Sequence, residues 1–407
     1  LLTYSSCVLA AGVAQCYSLA VFGNPQSTVD AFTFFAQISP EPPFATLDSL
    51  PPLNAPLAVV IWQQVYILAW WLRLDFGPHI AVMLNSLIMG LTAAVVVRTG
   101  RDLFGGDAWR LRRIGTLFAA CGLFLLFGAV LIRDCFTTFL NTLVLWSAVR
   151  LLVHSRLRDL FLVGSLSVLS AYAMLFLRAQ AVPFLALIAF VSVLCWFFSG
   201  RLNVVRLVFG LSVVLLVLIF APSVTITAQA AKQLQADSLE SYVEKATDSH
   251  SDQSLGMSLV VTQPMPVRLV FGIASLLISP IPLWAFFQLD SLDYDWFKGY
   301  NGLYQVVVVP LFATGVMVVL RAITRQRKRA IPFFFLLAYT TLAASAVALT
   351  SLEQRHLGQF VPAVIILAAC PDTRCPATRR VYLKLSISWF VAVVLVNLAW
   401  VGLKGRS

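Results

Sequence analysis

A chain of 407 residues that is 59% hydrophobic and only 12% charged has about half the charged share of an ordinary soluble domain, too little to cover a water-soluble fold. The formal net charge of +11 does not mark a nucleic-acid binder, because Lys and Arg sit in short loops between apolar runs and not on one soluble face. Those runs are about 17–25 residues long, enough to cross a hydrocarbon core about 30 Å thick as helices. The alternation of a membrane β-barrel is absent, so the chain reads as an all-α, polytopic integral membrane protein.

In chain order the predicted spans are 1–22, 78–97, 114–132, 135–149, 160–177, 181–199, 207–222, 303–320, 331–350, 357–370 and 383–403. That is about eleven transmembrane helices. The chain opens at Leu1 and not at Met, so a few leading residues are expected to precede it. Residues 1–22 read as the first span, not as a cleaved signal.

Five basic clusters set the orientation: Arg98 to Arg113, Arg150 to Arg158, Arg201 with Arg206, Arg321 to Arg329, and Arg374 to Lys384. They hold most of the 29 Lys and Arg residues, and cytoplasmic loops are enriched in these two types. Two further apolar segments, Pro56–Leu72 and Leu269–Phe287, would break this parity if they crossed. Prolines border or interrupt both (Pro51, Pro52 and Pro56; Pro264, Pro266, Pro280 and Pro282), and proline ends or kinks a helix. Both are therefore assigned as juxtamembrane or re-entrant segments on the outer face.

The result is a single membrane domain, 1–407, with the N-terminus inside. It carries a first extracytoplasmic loop with a juxtamembrane helix, 23–77, and a large one, 223–302, which holds a polar, acidic stretch from Ala228 to Thr262. No internal repeat of the kind seen in many transporters is visible. Cys7, Cys16, Cys121, Cys135, Cys195, Cys370 and Cys375 lie mostly in apolar segments, with no CxxC pair and no nearby His. Packing is the expected role, not metal or redox chemistry.

This topology gathers the costly polar residues on the outer side. They are Asp30 after the first span; Arg133 and Asp134 in "VLIRDCFTTF"; Arg178 and Gln180 in "LFLRAQAVP"; and Glu353, Arg355 and His356 in "SLEQRHLGQFVP". Ionisable groups near membrane depth are functional candidates by default. Plainer roles stand beside that reading. Asp30 suits a helix cap, Arg133 with Asp134 a structural pair closing a turn, and Arg178 a side chain snorkelling to the interface. The acidic cluster Asp290, Asp293 and Asp295 resembles a metal-holding DxD. Its outer placement favours a solvated loop, and Gly105–Gly106 is a loop signal.

The segments "DAFTFFAQ", "GPHIAVMLNSLIMGLTAAVVVRTGRDLFGG", "RDCFTTFLNTLVLW" and "EQRHLGQFVPAVIILA" occur in this order along the chain. In that arrangement it resembles the multi-spanning glycosyltransferases of the GT-C class, and its last segment is similar to a stretch of bacterial surface-polysaccharide polymerases. The resemblance implies a GT-C-like fold in the bacterial inner membrane. It also implies transfer of a sugar or oligosaccharide from a polyprenyl-phosphate or polyprenyl-diphosphate donor to a saccharide or lipid-linked acceptor on the extracytoplasmic face.

Carried over, Asp30 becomes the catalytic base. Arg133, Asp134, Arg178, Gln180, Glu353, Arg355 and His356 become the substrate- and phosphate-binding set. No cofactor is implied, since Asp30 lacks the second acidic neighbour of the metal-dependent variant. Membrane lipids are the other expected partner, and nucleic acid is not expected. The residue types fit such chemistry on their own terms: a carboxylate can take the acceptor proton, and arginines stabilise a leaving phosphate. The competing expectation is a transporter or flippase for a lipid-linked saccharide.

Overall fold

The computed structural model describes residues 29–50, 55–178, 181–199, 264–278, 294–325, 327–350 and 354–404. Every regular element among them is helical. In chain order these are α1 (Val29–Phe35), α2 (Pro56–Trp71), α3 (His79–Phe104), α4 (Ala108–Ala119), α5 (Gly122–Ala129), α6 (Asp134–His154), α7 (Leu157–Arg178) and α8 (Val182–Ser199). They continue with α9 (Met265–Ile278), α10 (Tyr294–Arg325), α11 (Arg327–Thr350), a 3-10 turn at Gln354–Gln359, α12 (Val361–Ala369) and α13 (Pro376–Lys404).

Among the described residues six helices are long and apolar enough to cross a bilayer: His79–Phe104, Asp134–His154, Leu157–Arg178, Gly299–Arg325, Arg329–Ala348 and Pro376–Ala399. Many of their large apolar side chains face outward, among them Leu87, Leu169, Val307 and Ile387. In water that would be a liability, but against lipid it is the expected surface. The expected spans 1–22 and 207–222 lie outside the described residues, as does most of the segment 223–302.

Three expected spans take another form, the first being 181–199, whose apolar stretch Val182–Phe197 in α8 is shorter than the six spanning helices. The run 114–132 is not one helix: α4 and α5 meet at 57° across Ala120 and Cys121. The break sits where Gly122 packs against α10, so closely that a Cβ there would lie 3.0 Å from the Asn301 backbone nitrogen. The run 357–370 is a 3-10 turn followed by the nine-residue α12. Its start is set by Pro362, which cannot donate a helical hydrogen bond, and its end by Pro371. At about 1.5 Å per residue α12 is only about 14 Å long. All of it but Val364 is buried, and Gly315 of α10 lets the two backbones approach.

The juxtamembrane assignment for 56–72 falls on α2, whose 16 residues span about 24 Å. Trp62 of α2 donates through Nε1 to Asn85 of α3 at 2.8 Å and packs 5.6 Å from the Phe136 ring of α6. Helix α2 therefore lies against the first turns of α3 and α6.

The other end of the bundle collects the described basic loops. After α3, Gly105 (φ +62°) and Gly106 (φ +91°) turn the chain through a conformation that glycine adopts without strain. Asp107 then caps α4 by accepting from the Trp109 N–H at 3.1 Å. The Trp109 ring is flanked by Arg113 at 4.3 Å and Arg374 at 4.9 Å. Arg113 also donates to the Pro371 carbonyl at 2.8 Å, and Trp146 Nε1 of α6 donates to Asp102 of α3 at 3.0 Å. Phe104 meets Phe333 of α11 at 5.6 Å. These contacts join the Arg98–Arg113 and Arg374–Lys384 clusters and set beside them the parts of α6 and α11 next to two more, while Arg201 and Arg206 lie outside the described residues.

Candidate functional site

The opposite end is built from four short stretches. Helix α1 is docked by Phe34 on Trp62 at 5.6 Å and by Phe35 on Phe76 at 5.0 Å. The turn after it is clamped by Gln63, which accepts from the Ser39 N–H and donates to the Ser39 carbonyl, both at 2.9 Å. This fixes where Asp30, in the first turn of α1, can reach.

The second stretch is the non-helical link Val130–Arg133 between α5 and α6. Asn85 Nδ2 donates to the Val130 carbonyl at 2.9 Å and to the Ile132 carbonyl at 3.4 Å, and Ser86 Oγ donates to the Gly128 carbonyl at 2.9 Å. Asn85 is fully buried. The Val130 carbonyl also accepts from the Ile132 N–H at 2.8 Å and the Ile132 carbonyl from Cys135 Sγ at 3.4 Å, so the buried amide ties an already bonded turn to α3. Its consequence is the position of the next residues, Arg133 and Asp134.

The C-terminus of α7 brings Arg178, and the 3-10 turn brings Arg355 and His356. Arg355 Nη1 donates to Asp30 Oδ2 at 2.6 Å, across 325 positions of sequence. Arg178 Nη1 donates to Asp134 Oδ1 at 2.5 Å, and its Nη2 contacts His356 Nε2. Arg133 makes no ion pair among the described residues; it lies 5.8 Å over the Phe34 ring.

Six of the eight residues singled out from sequence are thus brought together: Asp30, Arg133, Asp134, Arg178, Arg355 and His356. Gln180 and Glu353 fall outside the described residues. So do Asp290 and Asp293. Two plainer expectations are corrected. Asp134 pairs with Arg178 and not with its neighbour Arg133, because the first turn of α6 aims it into the bundle. Arg178 does not snorkel, since its side chain is only 7% exposed.

The electrostatics follow from this crowding. Burial lowers the Arg133 guanidinium from its ordinary value and Arg178 adds to the effect, while Asp134 and Asp30 oppose it. Burial, then the cations Arg178, Arg355 and Arg133, hold the His356 imidazole down to about 2, so it is neutral. A neutral ring nitrogen can accept from Arg178, which leaves the two carboxylates facing three guanidiniums. Counted over the described residues, the cluster carries one net positive charge, the balance an anionic ligand would complete.

Sequence reasoning missed the layer beneath. Asn141 contacts Gln359, Gln359 donates to Thr137 Oγ1 at 3.2 Å, and Tyr339 OH donates to the Gln359 carbonyl at 2.8 Å. Gly358 lets the turn sit close to α5 and α6, because a Cβ there would come within 3.0 Å of Thr138 Oγ1. The available signal was a single Asn, Asn85 or Asn141, inside an apolar run, where a polar side chain usually bonds across helices.

Among the described residues no group of three or more His, Cys, Asp or Glu comes together to hold a metal ion. No protein-family model matches the chain and no curated protein matches its sequence. The helices define an all-α membrane protein of polytopic type.

Proposed function

We propose that this protein is a glycosyltransferase with a polyprenyl-phosphate- or polyprenyl-diphosphate-linked donor. In this reading it sits in the bacterial inner membrane and acts on the extracytoplasmic face in surface-polysaccharide assembly, by single glycosyl transfer or repeat-unit polymerisation. One observation carries the reading: three arginines and one partly exposed carboxylate, Asp30, converge at the end of the bundle opposite the basic loops. The ordered resemblance to GT-C enzymes points the same way.

The residues divide the chemistry between them. The acceptor hydroxyl oxygen attacks the anomeric carbon, the bond from that carbon to the phosphate oxygen breaks, and the hydroxyl proton passes to Asp30. The electron pair leaves on the phosphate or diphosphate, whose charge Arg133, Arg178 and Arg355 stabilise. Arginine suits this task because its planar fork bonds two phosphate oxygens at once. Attack from the face opposite the leaving group inverts the sugar.

A flippase for the same lipid is the second reading, favoured by the polar layer of Thr137, Asn141 and Gln359. Polar groups in the bundle interior are what a transporter needs. Here they are buried and bonded to one another across helices, as a packed contact and not a passage.

The test is reconstitution of the full chain with a radiolabelled lipid-linked oligosaccharide. Wild type should transfer the label to acceptor, and Asp30→Asn should lose about 10²–10⁴-fold in rate. Movement of intact donor across the bilayer without bond cleavage would favour the flippase instead.

A further inference from the structure

The two ion pairs of the site differ in how easily they can part. Arg178 and Asp134 are 7% and 3% exposed, and His356 touches the same guanidinium from a second side. Separating that pair would strand two buried charges. Arg355 and Asp30 are 28% and 44% exposed, so water reaches both and can replace either partner. The contact is also made through one nitrogen and one oxygen, whereas a phosphate offers the guanidinium two parallel bonds.

Nor does the fold depend on this second pair. Helix α1 is held by Phe34 against Trp62 and by Phe35 against Tyr66 and Phe76. Among the described residues the cation Arg133, over the Phe34 ring, also feels the Asp30 charge.

We propose that Asp30–Arg355 is a substrate-displaced pair: the phosphate of the arriving donor draws Arg355 away, and only then is the Asp30 carboxylate released to act as base. This rests on the glycosyltransferase reading above and adds an order of events to it. The base is neutralised while the site is empty, and the donor itself removes the block. Arg178, clamped by Asp134 and His356, is the fixed part of the anion site, and Arg355 is the exchangeable part.

The consequence is unusual for a binding-site carboxylate. Asp30 competes with the ligand for Arg355, so removing its charge strengthens anion binding while turnover is lost. The experiment uses the full chain in nanodiscs, with polyprenyl diphosphate as probe and inorganic diphosphate as competitor to separate headgroup from lipid-tail binding. Size-exclusion profile and thermal midpoint check that each variant is folded, with Asp30→Ser as a second neutral variant.

Asp30→Asn should bind the probe more tightly, by up to about fivefold, as an exposed ion pair no longer competes. Arg355→Gln should weaken binding, and Asp30→Asn should bring no gain in the Arg355→Gln background. Unchanged or weaker binding by both neutral variants, or a gain that persists without Arg355, would overturn the displacement. If wild type does not bind the probe, or if Arg178→Gln and Arg355→Gln bind as wild type does, the proposed function falls and the displacement with it. If those two variants weaken binding and the neutral Asp30 variants do not tighten it, the displacement alone is refuted.

Discussion

Arg178 and Asp134 meet at 2.5 Å in a part of the bundle where both side chains are nearly inaccessible. Breaking one half of such a pair leaves an uncompensated charge, at a cost of about 3–5 kcal/mol. Asp134→Asn should therefore lower the thermal midpoint in detergent sharply. The double variant Asp134→Leu with Arg178→Met removes both charges and should recover much of that stability while binding no anionic lipid. A wild-type midpoint for Asp134→Asn would show that the pair is not sealed from water.

Asn85 reaches the site only through the backbone it holds. Asn85→Leu leaves Trp62 Nε1 without its partner, at a cost of about 1–3 kcal/mol if it stays unbonded, and removes one of the two bonds on each of the Val130 and Ile132 carbonyls. In a folded variant the link would lose its register and Arg133 its position. The KM for the lipid donor should then rise roughly tenfold, the equivalent of about 1.4 kcal/mol, with a smaller effect on kcat. Equal loss in both constants would indicate a different role.

His356 gives the protein an acid-side weakness. Its ordinary value is 6.5, and in the folded protein it is held to about 2, so below 6.5 the unfolded chain takes up a proton that the folded chain refuses. Stability from this group is complete above that value and declines as the pH falls towards 2, with a limiting slope of about 1.4 kcal/mol per pH unit. His356→Gln should flatten the acid limb of a plot of thermal midpoint against pH. An unaltered slope would mean that the imidazole is already protonated in the fold.

Orientation is open to a labelling test with a native reporter. Cys375 is exposed, whereas Cys121, Cys135, Cys195 and Cys370 are buried. Backbone N–H groups of Thr378 and Ala377 at the start of α13 lower its thiol from the ordinary value, which favours the reactive thiolate. An impermeant maleimide should modify Cys375 only after the membrane is opened. Asp75→Cys, in a Cys375→Ser background, should react while the membrane is still sealed. The reverse pattern at both positions would invert the topology.

The class of fold was legible because the bilayer imposes a length: α3, α6, α7, α10, α11 and α13 each grow from an apolar run too long for most soluble helices. The break between α4 and α5 was not, since hydropathy is high on both sides of Gly122 and does not record how closely α10 approaches. Loop charge gathered Asp30, Arg133, Arg178 and Arg355 as candidates, but pairing is a tertiary fact. Asp134 looks in sequence like a partner for adjacent Arg133, and only packing turns it towards a residue 44 positions away. Asn85 carries a single polar atom pair in a long apolar run and shows its purpose only beside Val130 and Ile132.

The central claim is that Asp30, Arg133, Arg178 and Arg355 form one site for a lipid-linked phosphate. A cryo-electron microscopy structure of the full chain with polyprenyl-diphosphate-linked saccharide tests it most directly. The account predicts phosphate oxygens within about 3 Å of the Arg178 and Arg355 guanidiniums, with Arg355 moved off Asp30 and Asp30 facing the anomeric carbon's open side. A headgroup bound away from these arginines, with the Asp30–Arg355 pair intact, would contradict it.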